Sequence, residues 1–325
     1  MSLDAFFESG IAFSAIPEKP TGAPRMAEKV LVDTALRYFL AVVRHGSINK
    51  ASVQLHVAPS AVSRQIARLE AELDTQLFER SKAGMRLSPS GELLADHARK
   101  ARLEALRVVN EITGLEGIQK GTVRIASIEG PATYFLPQLI SRFRERYSGI
   151  HFELIACSNS NVTRRVQEGV SDIGLTLSPP PVRGIRVEKR SMAPVHAVMS
   201  ADHPLAGKQQ VTLAQLAHYP LGLPQENTNL RNLFDIACSR QGLLIEPVMV
   251  SNYVNALIAF SATGGGVTLF GELSVRHHSD RERLVVLPIK DREMSARTIE
   301  VQTLAGRTLP KGVAAFLEML CQELD

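Results

Sequence analysis

The chain has 325 residues, of which 45% are hydrophobic and 22% charged, and it carries a formal net charge of +4. That length is too great for one ordinary core, so two or more domains are expected, and the composition excludes an intrinsically disordered chain. No run approaches 18 consecutive apolar residues, which argues against a transmembrane helix.

Residues 1–30 contain Gly10, Pro17, Pro20, Gly22 and Pro24, with apolar residues grouped around Glu8. A secretory signal needs a basic segment ahead of an apolar one, but the early charges here are the acids Asp4 and Glu8. The stretch reads as a poorly ordered extension, with Met26 as a second candidate start.

The block from Thr34 to Ser90 holds eight bases (Arg37, Arg44, Lys50, Arg64, Arg68, Arg80, Lys82 and Arg86) against four acids, a surplus as large as that of the whole chain. A polyanion partner is therefore expected here, because Lys and Arg neutralise phosphates. Leu36, Phe39, Leu40 and Val43 recur on one helical face, and His45-Gly46 ends that helix. Ser47 stands where it can cap a second helix through its hydroxyl, with Ile48, Ala51 and Leu55 facing inward. Pro59 suits the first turn of a third helix, whose inner face is Val62, Ile66, Leu69 and Leu73. The opposite face begins with Ser60, Ser63 and Arg64, at the end that a recognition helix inserts into the major groove. Arg68 follows one turn later. A polar turn around Gly84 between two short extended pieces predicts a hairpin wing, with Lys82 and Arg86 placed to lie along a sugar-phosphate backbone.

Order and spacing across Gly46-Ser47, Ala51, Leu55, Ala61-Val62-Ser63, Ile66, Leu69-Glu70, Leu77-Phe78-Glu79-Arg80, Leu87-Ser88 and Gly91 resemble the N-terminal winged helix-turn-helix of LysR-type transcriptional regulators. Pro59 stands where that family commonly has a polar residue, so base reading rests on Ser60, Ser63 and Arg64. The candidate DNA-binding set is Ser47, Lys50, Pro59, Ser60, Ser63, Arg64, Arg68, Lys82 and Arg86.

Ser88 and Pro89 predict the start of a long helix, in which Leu94, Ala98, Ala101, Ala105, Val108, Ile112 and Leu115 alternate steps of four and three. So narrow a stripe favours a partner helix over a domain core, and it would run roughly 32 Å at ~1.5 Å per residue. These seven residues are the candidate dimerisation seam, and in the family it resembles such a linker helix pairs two subunits.

Beyond Gly121 strands alternate with helices, which predicts parallel α/β sheets. Strands are expected at 122–127, 152–156, 172–177, 195–199, 219–223, 248–250, 267–270 and 297–303. Helices are expected from about Leu136 to Tyr147, Leu230 to Gln241, Val254 to Thr263 and Gly312 to Leu324. The resemblance implies a two-lobed domain with the fold of periplasmic binding proteins and a small effector in its cleft. The expected organisation is an extension at 1–30, a winged helix-turn-helix at 31–91, a linker helix at 89–120 and an effector-binding domain at 121–325. Lobe I would take 121–193 and 297–325, and lobe II 194–296.

Ligands of open α/β sheets bind beyond the carboxyl ends of strands. Those ends carry Ser127, Glu129, Ser158, Asn159, Ser160 and Thr176, small polar groups suited to a polar metabolite. Lobe II contributes Asn227, Asn229 and Arg231, and Gly265 lies in a turn bordering the cleft. Glu129 could pair with a cationic effector group or with an Arg such as Arg231.

Cys157, Cys238 and Cys321 lie far apart without CxxC or metal-ligand spacing, and His277-His278 lacks a third ligand at metal spacing. A reduced cytoplasmic chain without metal or cofactor is expected. No G-x-S-x-G, P-loop or H-E-x-x-H motif supports an enzyme. The reading is a sequence-specific transcription regulator, forming a homodimer or homotetramer, with double-stranded DNA, a small-molecule effector and RNA polymerase as partners and no membrane association. The competing reading is a metabolite-binding α/β protein with enzymatic or solute-binding activity, against which the fused DNA reader speaks.

Overall fold

A computed structural model describes residues 31–81, 84–113, 120–178, 180–226, 228–275 and 284–324. The expected extension at 1–30 lies outside these, as do Lys82, Leu115, Asn227 and His277-His278. The chain divides into two compact units, Met1–Val109 and Asn110–Asp325.

In the first unit, Asp33 opens α1 (Thr34–His45) by accepting the Ala35 N–H at 2.6 Å, and Gly46 closes it in the left-handed region. Helix α2 (Ile48–Leu55) and α3 (Pro59–Glu72) follow. The wing is β1 (Phe78–Ser81) paired antiparallel with β2 (Gly84–Leu87), and α4 (Pro89–Thr113) completes the series. Phe39, Val42, Ala51, Val62, Ile66, Leu69, Leu77 and Phe78 make the core, with the Phe39 and Phe78 rings 5.2 Å apart. Burying each large side chain contributes roughly 1.5–3 kcal/mol, which fixes which face of α3 stays outside.

Two local expectations need correction. Ser47 occupies the cap position of α2, but its hydroxyl makes no capping bond. Leu73 does not join the core: α3 ends at Glu72, and Leu73 is half exposed. Ser88 does cap α4, accepting the Gly91 N–H at 3.0 Å while donating to Gln76 O at 2.6 Å.

The second unit contains two five-stranded sheets. The lobe I sheet has β3 (Gly121–Ser127), β4 (Ile150–Ala156), β5 (Ile173–Leu177), β6 (Ile185–Met192) and β12 (Thr298–Leu304), in the order β4-β3-β5-β12-β6. The lobe II sheet has β7 (Val195–Ser200), β8 (Leu221–Pro224), β9 (Met249–Ser251), β10 (Val267–Gly271) and β11 (Leu284–Pro288), in the order β11-β7-β10-β8-β9. Neither sheet is purely parallel. Strand β3 runs parallel to β4 and β5, and β8 to β9 and β10, whereas β12 and β7 run antiparallel to both of their neighbours. The cause is the connectivity, since the chain crosses between sheets after β6 and again before β12, and a direct crossing reverses strand direction.

Helices cover these sheets: α5 (Glu129–Thr133), α6 (Phe135–Arg146) and α7 (Asn159–Gln167) follow lobe I strands, and α8 (Leu213–Leu216), α9 (Asn229–Arg240), α10 (Val254–Ala262), α11 (Glu272–Val275) and α12 (Arg292–Ser295) lie in the lobe II segment. The last helix, α13 (Lys311–Glu323), returns Val313, Phe316 and Leu320 to the lobe I core.

Candidate nucleic-acid interface and effector cleft

Val62, Ile66 and Leu69 are buried, so the other face of α3 presents Pro59, Ser60, Ser63, Arg64 and Arg68 to solvent. No side chain caps its first turn and Pro59 supplies no N–H, leaving the helix start clear for a phosphate. Arg68 is already engaged, its Nε 2.7 Å from Glu72 Oε1, while Lys50 and Arg86 stand exposed. The wing is held to this helix by Glu70, whose Oε1 accepts the N–H groups of Leu77 at 2.8 Å and Phe78 at 3.3 Å. It is also held to the α1–α2 turn, where Met85 N–H donates to Gly46 O at 2.9 Å. Gly84, with φ +117°, allows this approach, because a Cβ there would stand 2.7 Å from Gly46 O. Glu70 escaped the sequence reading as a positioning residue because its partners lie seven and eight positions away in a turn.

Along α4, Ala98 is fully buried in the core of its own unit and Leu94 packs against it. Ala105 is buried, Ala101 and Val108 are partly buried, and Ile112 is 63% exposed. Among the seam residues described, Ala101, Val108 and Ile112 keep surface outside that core.

In lobe I the carboxyl ends of β3, β4 and β5 bring several of the expected residues together. Cys157 N–H donates to Ser127 O, and Ile128 N–H to Leu175 O. The Ser127 hydroxyl is buried and donates to Ile128 O at 2.9 Å, and buried Thr176 donates to Asn159 Oδ1 at 3.1 Å. Ser158 and Ser160 are exposed, their hydroxyls 3.4 Å apart. Glu129 accepts the Val254 N–H at 3.1 Å from the first turn of α10 in lobe II, so its partner is a helix end and not Arg231.

Lobe II places Arg231 in a depression with Gln225, Glu226, Pro247 and Val250 beyond β8 and β9. Arg231 Nε lies 2.9 and 3.1 Å from the carboxylate oxygens of Asp235, and Asn229 is exposed at the helix start. Gly265 donates its N–H to Phe260 O at 2.9 Å, where a Cβ would meet the Phe260 ring. That packing accounts for the glycine.

The sequence reading missed Arg297, at the second crossing between lobes. Its Nε donates to Ala193 O at 3.0 Å, and burial draws its pKa down to about 10. It is the first residue of a predicted strand that in the structure begins at Thr298, and the sequence offers no sign that the two crossings meet there. His196 on β7 is held below the usual imidazole range chiefly by burial. Among the described residues, no three His, Cys, Asp or Glu side chains group as a metal site, and no helix is long and apolar enough to cross a membrane.

The model of the LysR substrate binding domain matches residues 116–325, and that of the bacterial regulatory helix-turn-helix protein, lysR family, matches residues 34–92. Similar proteins include the RuBisCO operon transcriptional regulator of Allochromatium vinosum, 29% identical over 89% of this chain and 95% of the relative. The probable HTH-type transcriptional regulator LrrA of Synechococcus elongatus is 30% identical over 89% of this chain and 96% of its own. Among solved structures, full-length OxyR from Pseudomonas aeruginosa shares the fold at a TM-score of 0.62 and 21% identity, covering 90% of this chain and 96% of that one. HinK, a LysR family transcriptional regulator from Pseudomonas aeruginosa, does so at 0.54 and 24%, over 89% and 97%.

Proposed function

The chain belongs to the LysR family of bacterial transcriptional regulators, and from this premise we propose how its parts work. It is a DNA-binding transcription regulator whose C-terminal domain takes a small-molecule effector. It acts in the cytoplasm as a homodimer or homotetramer on double-stranded DNA, with RNA polymerase as a further partner and no reaction of its own. The observation that carries this reading is the division of α3 into a buried apolar face and an exposed face of Ser60, Ser63 and Arg64.

On this reading α3 enters the major groove while Arg86 and Lys82 of the wing contact the backbone. Pairing of two α4 helices covers Ala101, Val108 and Ile112 and sets two readers on one DNA. Effector binding between the lobes shifts the balance of DNA-competent states by its differential affinity for them.

The test is a fluorescence-anisotropy titration of the full chain against duplexes selected from a random library, at several salt concentrations. Selected duplexes are expected to bind at least about a thousandfold more tightly than random DNA. The affinity should fall linearly with log salt, with a slope of about −0.9 per phosphate contacted. Equal binding to selected and random duplexes would remove the sequence-specific reading, and sedimentation as a monomer at micromolar concentration would remove the pairing.

A further inference from the structure

Arg297 ties together the two segments that cross between the lobes. Besides its Nε bond to Ala193 O, its own carbonyl accepts the Ala193 N–H at 2.8 Å. The next residue, Thr298, accepts the Ser178 N–H at 3.1 Å, and the hydroxyls of Ser178 and Thr298 lie 2.6 Å apart, just past the carboxyl end of β5. On the lobe II side the guanidinium lies over Gly271, the last residue of β10. A Cβ on that glycine would stand 2.0 Å from Nη2. Arg297 thus sits at the crossings between the lobes, near the carboxyl ends of a strand from each sheet.

Among the described residues it forms no ion pair, although Glu272 follows Gly271 and acts on the same imidazole, His196, as Arg297 does. Arg231 pairs with Asp235, Arg307 with Asp172 and Arg190 with Glu300. The bonded partner of Arg297 is the neutral Ala193 carbonyl, and among the described residues no carboxylate lies within ion-pair distance of its guanidinium. The residue as a whole is partly buried, and its guanidinium is largely withdrawn from water. The imidazole of His196 is within electrostatic reach of both Glu272 and Arg297. A desolvated cation without a bonded carboxylate costs stability, and an arriving anion lowers that cost.

We propose that the effector carries a carboxylate or phosphate group and that Arg297 is its counter-ion at the crossings between the lobes, flanked by the Ser178 and Thr298 hydroxyls. This rests on the effector-binding reading above and names the chemical class of the effector. A guanidinium presents paired donors that match the oxygens of either anion, whereas a Lys ammonium presents a point charge.

The test is thermal unfolding of the full chain at constant ionic strength, with matched probes. The anions are inorganic phosphate, sulfate, succinate and glycerol 3-phosphate, and the neutral counterparts are 1,4-butanediol and glycerol. At least one anion is expected to raise the wild-type midpoint by about 2 °C or more over chloride, with its neutral counterpart inert. Comparing succinate with the phosphates distinguishes the two sources of the anion. Arg297→Gln should abolish the shift and Arg297→Lys should reduce it by more than half; if the Gln variant does not fold, the Lys variant carries the comparison. An undiminished anion shift in the variants overturns the proposal. Neutral probes as effective as the anions, and insensitive to the substitution, would overturn the anion assignment while leaving the effector cleft standing. No shift from any probe counts against both.

Discussion

Glu129 Oε1 accepts the backbone N–H of Val254 at 3.1 Å, joining the end of β3 in lobe I to the first turn of α10 in lobe II. The cap residue of α10, Tyr253, offers no side-chain bond, so a carboxylate from the other lobe takes the place of a local cap. A charged acceptor at a helix N-terminus is favoured by both the free N–H groups and the helix dipole. Glu129→Ala is expected to lower stability by about 1 kcal/mol and to alter effector affinity, because the lobes lose a bond made in this conformation. Urea unfolding and an effector titration check this, and an unchanged midpoint with unchanged affinity would show that the contact contributes neither.

Glu70 sets the wing against the recognition helix. Its Oε1 serves two N–H groups, those of Leu77 and Phe78, and both residues are buried. Glu70→Ala leaves both donors without an acceptor, and a buried donor without a partner costs about 1–3 kcal/mol. The expected result is a lower melting temperature of the N-terminal unit and weaker DNA binding, with effector binding unchanged. Equal losses of DNA and effector binding would mean general unfolding and not wing placement.

Arg64 and Arg68 are one turn apart on α3, but among the described residues only Arg68 is paired, with Glu72. Arg64→Ala is expected to weaken binding to the selected duplex by about 1–3 kcal/mol. Arg68→Ala should have the smaller effect, since its guanidinium already has a partner on the helix surface. Anisotropy titrations of both variants at one salt concentration decide the order, and a larger loss at Arg68 would reverse the assignment.

The first unit was legible because its signals are local. Periodicity at Val62, Ile66 and Leu69, the helix stop at Gly46 and the hydroxyl at Ser88 each act within a few residues. Leu73 misled because its spacing continues the apolar stripe past the point where α3 ends. In the second unit, strand β6 went unread because Ile185–Met192 carries Arg186, Glu188, Lys189 and Arg190 and forms an edge with no consistent apolar face. The antiparallel β7 and β12 follow from the two crossings, which no short-range pattern encodes. The site was legible in part for the same reason. Polar groups at strand ends can be read from order alone, whereas the neighbours of Arg297 lie 104 positions away at Ala193 and on another sheet at Gly271.

Asp172 and Arg307 form an ion pair at 2.7 Å with side-chain exposures of 4% and 7%, and Asp172 Oδ2 also accepts the Arg124 N–H at 2.9 Å. The pair fastens the loop after β12 to the start of β5. Removing one member leaves the other charge buried, which typically costs about 3–5 kcal/mol. Asp172→Asn is therefore expected to destabilise the second unit by an amount in that range. The double substitution Asp172→Asn with Arg307→Met should recover part of the loss. If the double variant is less stable than the single by the full cost of a second independent mutation, the two residues are not coupled as the geometry requires.

Cys238 on α9 is buried among Leu230, Phe234 and Ala237, and burial, assisted by Asp235 and Asp291, pushes its thiol up to about 11. The thiolate is the reactive form, so native Cys238 should resist iodoacetamide at pH 8 and become modified once urea unfolds the chain. The same shift has a consequence for stability. Because the folded-state pKa is the higher one, the folded chain holds this proton more tightly than the unfolded chain, whose thiol titrates near 9. The associated stability is whole below pH 9 and is lost as pH rises towards 11. Urea midpoints at pH 8, 9.5 and 10.5 should therefore fall more steeply for the wild type than for Cys238→Ala, so that the gap between them narrows with pH. Parallel midpoints across that window, or rapid native alkylation of Cys238, would mean that the thiol is not held protonated by its surroundings.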